Sequence, residues 1–197
     1  MKKILSLLLV LTAFVGFSQS GNYTINDPVF RINRTATFAL TTTWQTVDFN
    51  GTSTANSNDF GIDPISGNKM VYWDSTNKLI KFIGNPPYKK TFSFSIYPET
   101  NTNIITTRAT LQLRYVIPNG GGAGVDLIFP FVDTSTPYAD IGEVTILAGG
   151  VKHTPLSLPI PVSTAIITNG VRVEMRLSNA LFTLGVCNLT NCAIQIQ

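Results

Sequence analysis

The chain has 197 residues, 44% of them hydrophobic and only 13% charged, with a formal net charge of +3. That length holds one domain around one core once a targeting segment is set aside. Lys2 and Lys3 fall in that segment and no acid does, so the rest carries 12 of the 14 Lys and Arg against 11 Asp and Glu, a balance that speaks against nucleic acid as a partner.

Lys2 and Lys3 precede an apolar run from Ile4 to Phe17, and the small residues Gly16 and Ser18 stand where a signal peptidase cuts. This is the pattern of an export signal over residues 1–18, cleaved near Ser18-Gln19. The run is shorter than the ~20 apolar residues that a membrane span needs. The mature protein is therefore expected to be secreted to the extracellular side, without membrane insertion after cleavage. No cysteine lies near the cut to take a lipid. Residues 19–34 lack a sustained period and read as an N-terminal arm or a first edge strand, ahead of a domain over 35–197.

From Thr35 to Asn50 come two β-rich runs, and the following GTSTANSNDFGIDPISGN is dense in turn residues, as a long surface loop would be. Strand signals then recur at short intervals: Met70 to Trp73, Leu79 to Ile83, and Thr91 to Tyr97. In the last of these Phe92, Phe94 and Ile96 alternate with Thr and Ser, the period of a strand with one buried face. Ala109, Leu111, Leu113 and Tyr115 alternate in the same way, and Asn119 to Gly124 reads as a glycine-rich hairpin loop. Val125, Leu127, Phe129 and Phe131 continue on one face, with Pro130 marking an edge or a bulge.

Val144 to Leu147 is a further short strand, and Leu156 to Val162 is an extended segment carrying Pro159 and Pro161. In Val171 to Leu177 the apolar residues Val171, Val173 and Met175 alternate with Arg172, Glu174 and Arg176, which are expected on the solvent face. Phe182 to Val186 and Ala193 to Ile196 read as a closing hairpin. Cys187 and Cys192 flank Asn-Leu-Thr-Asn at its tip, and in an exported protein that spacing predicts a disulfide. Asn188-Leu189-Thr190 also fits a glycosylation acceptor. No stretch past residue 18 keeps a helical period for more than a turn. The fold class is all-β, a two-sheet antiparallel β-sandwich with jelly-roll topology, whose core joins the Phe92, Ala109 and Val171 sets.

The inventory of reactive groups is thin. His153 is the sole histidine and sits between Lys152 and Thr154 after two glycines, as a surface-loop histidine would. No GxSxG elbow exists. Asp59, Asp63, Asp74, Asp133, Asp140 and Glu143 fall in loops or on solvent faces, and Glu174 lies between two arginines. Calcium on Asp59, Asp63 and Asp74 matches no known loop spacing, so neither a metal nor a cofactor is expected. Among the aromatics, Trp44 reads as core. Trp73, Tyr72, Asp74 and Tyr138 are the candidates for ligand contact.

Trp44 to Asn50, followed by a polar loop and then Asp74 to Phe82, resembles the early strands of the jelly-roll heads of the tumour necrosis factor and complement globular-head superfamily. Gly84, Tyr88, Phe92 and Phe94 resemble that superfamily's passage into an aromatic strand, and Asn169 to Glu174 resembles its late strand. The double proline Pro86-Pro87 and the cysteine pair depart from the pattern. The resemblance implies a homotrimer that binds a protein or glycan, with strand-end aromatics such as Tyr97, Tyr115 and Phe131 lining the three-fold interface. The expected function is a secreted, non-catalytic binding or adhesion module. The alternatives are a structural subunit of an extracellular or virion surface assembly and, more weakly, a carbohydrate-active enzyme.

Overall fold

The computed structural model describes residues 29–49, 57–58, 60, 62, 67, 69–83, 91–102, 109–130, 138–144, 151–153, 155–179 and 187–197. The export signal, the arm up to residue 28, Asp59, Asp63, Asp133, Phe131 and the strand expected at Phe182 to Val186 lie outside the described residues.

Among the described residues fourteen strands follow one another, the first seven being β1 (Phe30–Arg34), β2 (Phe38–Leu40), β3 (Gln45–Thr46), β4 (Ser57–Asn58), β5 (Val71–Asp74), β6 (Leu79–Phe82) and β7 (Thr91–Thr102). The second half holds β8 (Ala109–Gly122), β9 (Val125–Phe129), β10 (Ala139–Val144), β11 (Val151–Lys152), β12 (Leu156–Pro161), β13 (Arg172–Leu177) and β14 (Cys187–Ile196). A seven-stranded sheet runs β11-β7-β14-β1-β4, with β12 also on β7 and β2 on β14. A five-stranded sheet runs β10-β8-β13-β3, with β9 on β8. All pairings are antiparallel, and the result is an all-β sandwich.

Two-residue periodicity decides which side chains meet. Phe92, Phe94 and Ile96 of β7, Ala109, Leu111 and Leu113 of β8, and Val173 and Met175 of β13 all turn inward, as does Val171, and they share one buried cluster. Each large side chain among them contributes about 1.5–3 kcal/mol by leaving water. Phe94 touches Phe82, Phe92 and Tyr115 with ring centroids 5.4–6.4 Å apart, so the two sheets are joined through edge-on and tilted aromatic contacts. The hairpin β5–β6 is attached beside β13 through paired backbone bonds between Ile80 and Val171.

The chain also contains one helical turn and a half, α1 (Thr164–Asn169), where none was expected. Its ends are written in the sequence. The Ser163 hydroxyl accepts the Ile166 N–H, and Gly170 stops the helix at φ 78°. A side chain at Gly170 would also meet the Ile80 carbonyl oxygen at 2.6 Å.

The expected disulfide is absent: Cys187 and Cys192 are both free and buried. They lie on one continuous strand, not across a hairpin, since β14 pairs with β7 along its length. Five residues of strand span ~16 Å, well past the ~7 Å limit between bridged Cα atoms. A bulge between Leu189 and Asn191 shifts the alternation, so both thiols face inward although an odd spacing would otherwise send them to opposite faces. Burial pushes the Cys187 thiol up to about 11 and raises that of Cys192 further, against the opposing charge of Arg34.

Two outcomes are expected. Phe94→Ala should lower the unfolding free energy by about 3–5 kcal/mol in chemical denaturation, whereas Ser93→Ala on the outward side should change it by less than about 0.5 kcal/mol. A maleimide reagent should label two thiols in unreduced, denatured protein and neither in native protein, read by intact mass.

Candidate functional site

The outward face of the five-stranded sheet carries the densest polar and aromatic group among the described residues. Register lays it out: Glu174 of β13 stands opposite Arg114 of β8, and Arg176 stands opposite Gln112. Arg114 donates to Glu174 Oε2 through Nε at 2.7 Å and through Nη2 at 2.7 Å. Arg172 Nε donates to Oε1 at 2.6 Å, and its Nη2 reaches Asp126 at 3.0 Å. Glu174 is only 5% exposed. The row expected to lie open to solvent does point outward, but two guanidiniums close over the central carboxylate.

A second chain of bonds runs beside it. Arg176 Nε donates to Gln112 Oε1 at 2.8 Å, and Gln112 Nε2 donates to Asp140 at 2.9 Å. Trp44 joins the two chains, with the Arg114 and Arg176 guanidinium carbons 4.3 and 4.4 Å from its ring centroid. Arg176 also lies 5.0 Å from the Tyr138 ring, which is 5.8 Å from Trp44. Cation–π contacts of this kind are worth ~0.5–1 kcal/mol each where exposed and more where dry. Arg114 and Arg172 thus meet Glu174 and Asp126 directly, Arg176 reaches Asp140 through Gln112, and the two aromatic rings lie against the guanidiniums of Arg114 and Arg176.

The candidates from sequence are divided by this arrangement. Tyr138 belongs to the cluster. Trp44 belongs to it as well, on the outside and not in the core where it was expected. Trp73 is the reverse case: it packs against the core, edge-on to Phe49 at 5.4 Å and 87°. Tyr72, its neighbour, is 38% exposed. Asp74 closes its own turn, accepting the Thr76 and Asn77 N–H groups and the Asn77 side-chain amide. The Asn77 side-chain bond, with the backbone bonds, holds its carboxyl below the usual range.

Of the three proposed interface aromatics, Tyr115 lies wholly inside the sandwich against Phe94. It is the fourth inward residue of β8 and is not available to a surface. Burial raises its hydroxyl pKa. Tyr97 points out from the seven-stranded sheet and is 39% exposed. Phe131 is outside the described residues.

His153 is buried, contrary to the surface-loop expectation. Its backbone N–H bonds to the Pro98 carbonyl, and its Nε2 lies 2.7 Å from the Thr100 hydroxyl. The ring packs against Gly142, where a Cβ would come within 2.7 Å of Nδ1, so the glycine makes room for the histidine. Burial lowers the imidazole pKa.

Among the described residues no group of three or more His, Cys, Asp or Glu side chains is placed to hold a metal ion. No protein-family model matches the chain, and no curated protein matches it at a significant level.

Glu174→Gln leaves two guanidiniums without their shared carboxylate. It should destabilise the fold by about 3 kcal/mol, at the lower end for a broken buried pair, while Asp126→Asn at the exposed end should cost less than about 1 kcal/mol. For His153, a folded pKa below the unfolded value of about 6.5 means that the unfolded chain binds more protons between the two. The stability it supports is complete above about pH 6.5 and is lost as pH falls through the folded pKa. His153→Gln should therefore flatten the fall in stability between about pH 7 and pH 5, measured by thermal melts across that window.

Proposed function

We propose that the mature chain is a secreted, non-catalytic binding or adhesion module for a protein or glycan, and a homotrimer of jelly-roll topology as its resemblance to the tumour necrosis factor and complement globular-head superfamily implies. The observation that carries this reading is the outward Trp44, Tyr138, Arg114 and Arg176 group, whose rings and guanidiniums are held by Glu174, Gln112 and their partners. Aromatic and arginine side chains fixed before contact are the residues that contribute most at recognition surfaces, because little conformational freedom remains to be lost.

The described carboxylates support a non-catalytic role. Glu174, Asp126, Asp140, Asp74 and Asp48 each have a guanidinium, ammonium or amide partner, and Glu99 stands at a groove with no second carboxylate among the lining residues, whereas a glycosidase needs two carboxyl groups facing each other across an open cleft. The reading as a subunit of a surface assembly draws on the same face, which a neighbouring copy would cover.

The test is the chain without residues 1–18, screened against immobilised polysaccharides and extracellular proteins, with product analysis and light scattering on the same samples. Saturable binding without cleavage by a species of three chains, weakened at least about tenfold in Trp44→Ala, is expected. Release of sugar products would overturn the non-catalytic reading. A strictly monomeric species that binds nothing in the panel would overturn the module itself.

A further inference from the structure

The outer face of the seven-stranded sheet holds a groove of about 410 Å³, within the size range of small-molecule clefts, ~300–1,000 Å³. Its origin lies in the register. Lys152, Glu99 and Asn191 form one row across β11, β7 and β14, and Tyr97, Ala193 and Asn33 form the next across β7, β14 and β1. Ser157, Ser95, Gln195 and Arg31 form the third. Ala193 is the one small residue at the centre of this grid, and the longer side chains around it leave a hollow over its Cβ. Tyr97, Arg31, Lys152, Glu99 and Asn191 rim that hollow.

The chemistry of the rim is specific. Tyr97 offers an exposed ring. Arg31 and Lys152 form no ion pair with a described residue, and Lys152 leaves even its cross-strand neighbour Glu99 unpaired. With His153 at the base kept neutral by burial, two cations stand against one carboxylate. The net single positive charge suits one carboxylate per ligand unit and disfavours a densely sulfated chain. Glu99 and Asn191 together accept and donate hydrogen bonds, as a ring bearing hydroxyls requires. Beyond the hollow the face continues as a hydroxyl and amide strip: Ser95 and Ser157 lie 2.7 Å apart, Ser93 follows at 3.4 Å, and Gln195 stands beside them.

We propose that this groove binds an acidic saccharide. A uronic acid unit stacks on Tyr97 with its carboxylate between Arg31 and Lys152, and further sugars run along Ser95, Ser157 and Gln195. The site shares no residue with the Trp44 face, so either assignment stands or falls without the other. A free amino acid or peptide end is the competing ligand, its ammonium on Glu99, but it would leave the hydroxyl strip unused.

The test is calorimetric or NMR titration of the mature chain with digalacturonic acid, lactose and glycylglycine, at low and at physiological salt. Digalacturonic acid is expected to bind and to weaken as salt rises. Arg31→Gln and Tyr97→Thr, the latter keeping strand propensity, should each weaken it by about tenfold or more with thermal melts confirming that both variants remain folded. Lys69→Gln, which removes an exposed cation elsewhere, should bind as wild type. The assignment is overturned if lactose or glycylglycine binds as tightly as the acidic sugar, if digalacturonic acid shows no saturable binding, or if folded Arg31→Gln and Tyr97→Thr bind it unchanged.

Discussion

The carboxylate of Glu174 stands on the outside of a sheet and is nonetheless almost wholly covered, a position that a charge can hold only where its neighbours neutralise it directly. Arg114 and Arg172 do so from the adjacent strand and from the same strand. That requirement fixes the register of β8 against β13, because a slip of one residue would drive Glu174 into the apolar interior and pull Val173 and Met175 out of it. The inner and outer faces therefore specify the same pairing. Trp44 follows from it: Thr46 pairs opposite Glu174, and the residue two before Thr46 is delivered to the arginines on that face.

Most of the architecture was legible because alternation is local. The inward sets of β7, β8 and β13 follow directly from every second residue. The same rule applied further would have settled both tryptophans. Val47 and Phe49 are core residues, and Trp44 has the opposite parity, so it belongs outside. Val71 is core and shares its parity with Trp73, so Trp73 belongs inside and Tyr72 outside. Reading Trp44 by the general tendency of aromatic residues to be core, and Trp73 by its neighbour Asp74 at a strand end, instead of both by strand parity, exchanged the two. The polar cluster itself was not legible, since it joins residues from four strands whose order in the sheet no local pattern specifies.

The cysteine pair failed for a different reason. Six residues with a Cys at each end and Asn-Leu-Thr-Asn between them carry the composition of a hairpin tip, and composition is the only signal that a turn gives. Here neighbours on both sides decide otherwise: β7 pairs along one edge of the segment while β2 and β1 pair along the other. Backbone groups in a strand flanked on both sides are satisfied by the ladder, so polar side chains in it carry no turn preference strong enough to prevail. The bulge at Thr190, whose hydroxyl bonds to the Glu99 carbonyl, is what remains of that preference.

The sheet edges bear on how such a sandwich meets other molecules. Strand β12 forms an outer edge of the seven-stranded sheet among the described residues, and Pro159 and Pro161 within it supply no N–H. Ser93 bonds through both backbone groups to Gln197, so its partner Pro159 and, by parity, Pro161 turn toward the open edge. An incoming strand would find two successive donors missing, which is the usual protection of an edge against strand addition. Association through that edge is thereby disfavoured. The sheet faces differ in kind. The five-stranded sheet presents a charge-balanced group of rings and ion pairs already bonded to one another, which suits contact with another preformed surface. The seven-stranded sheet presents a hollow over Ala193 whose cations form no ion pair with a described residue, and a cation without a counter-charge gains most from a ligand that brings one.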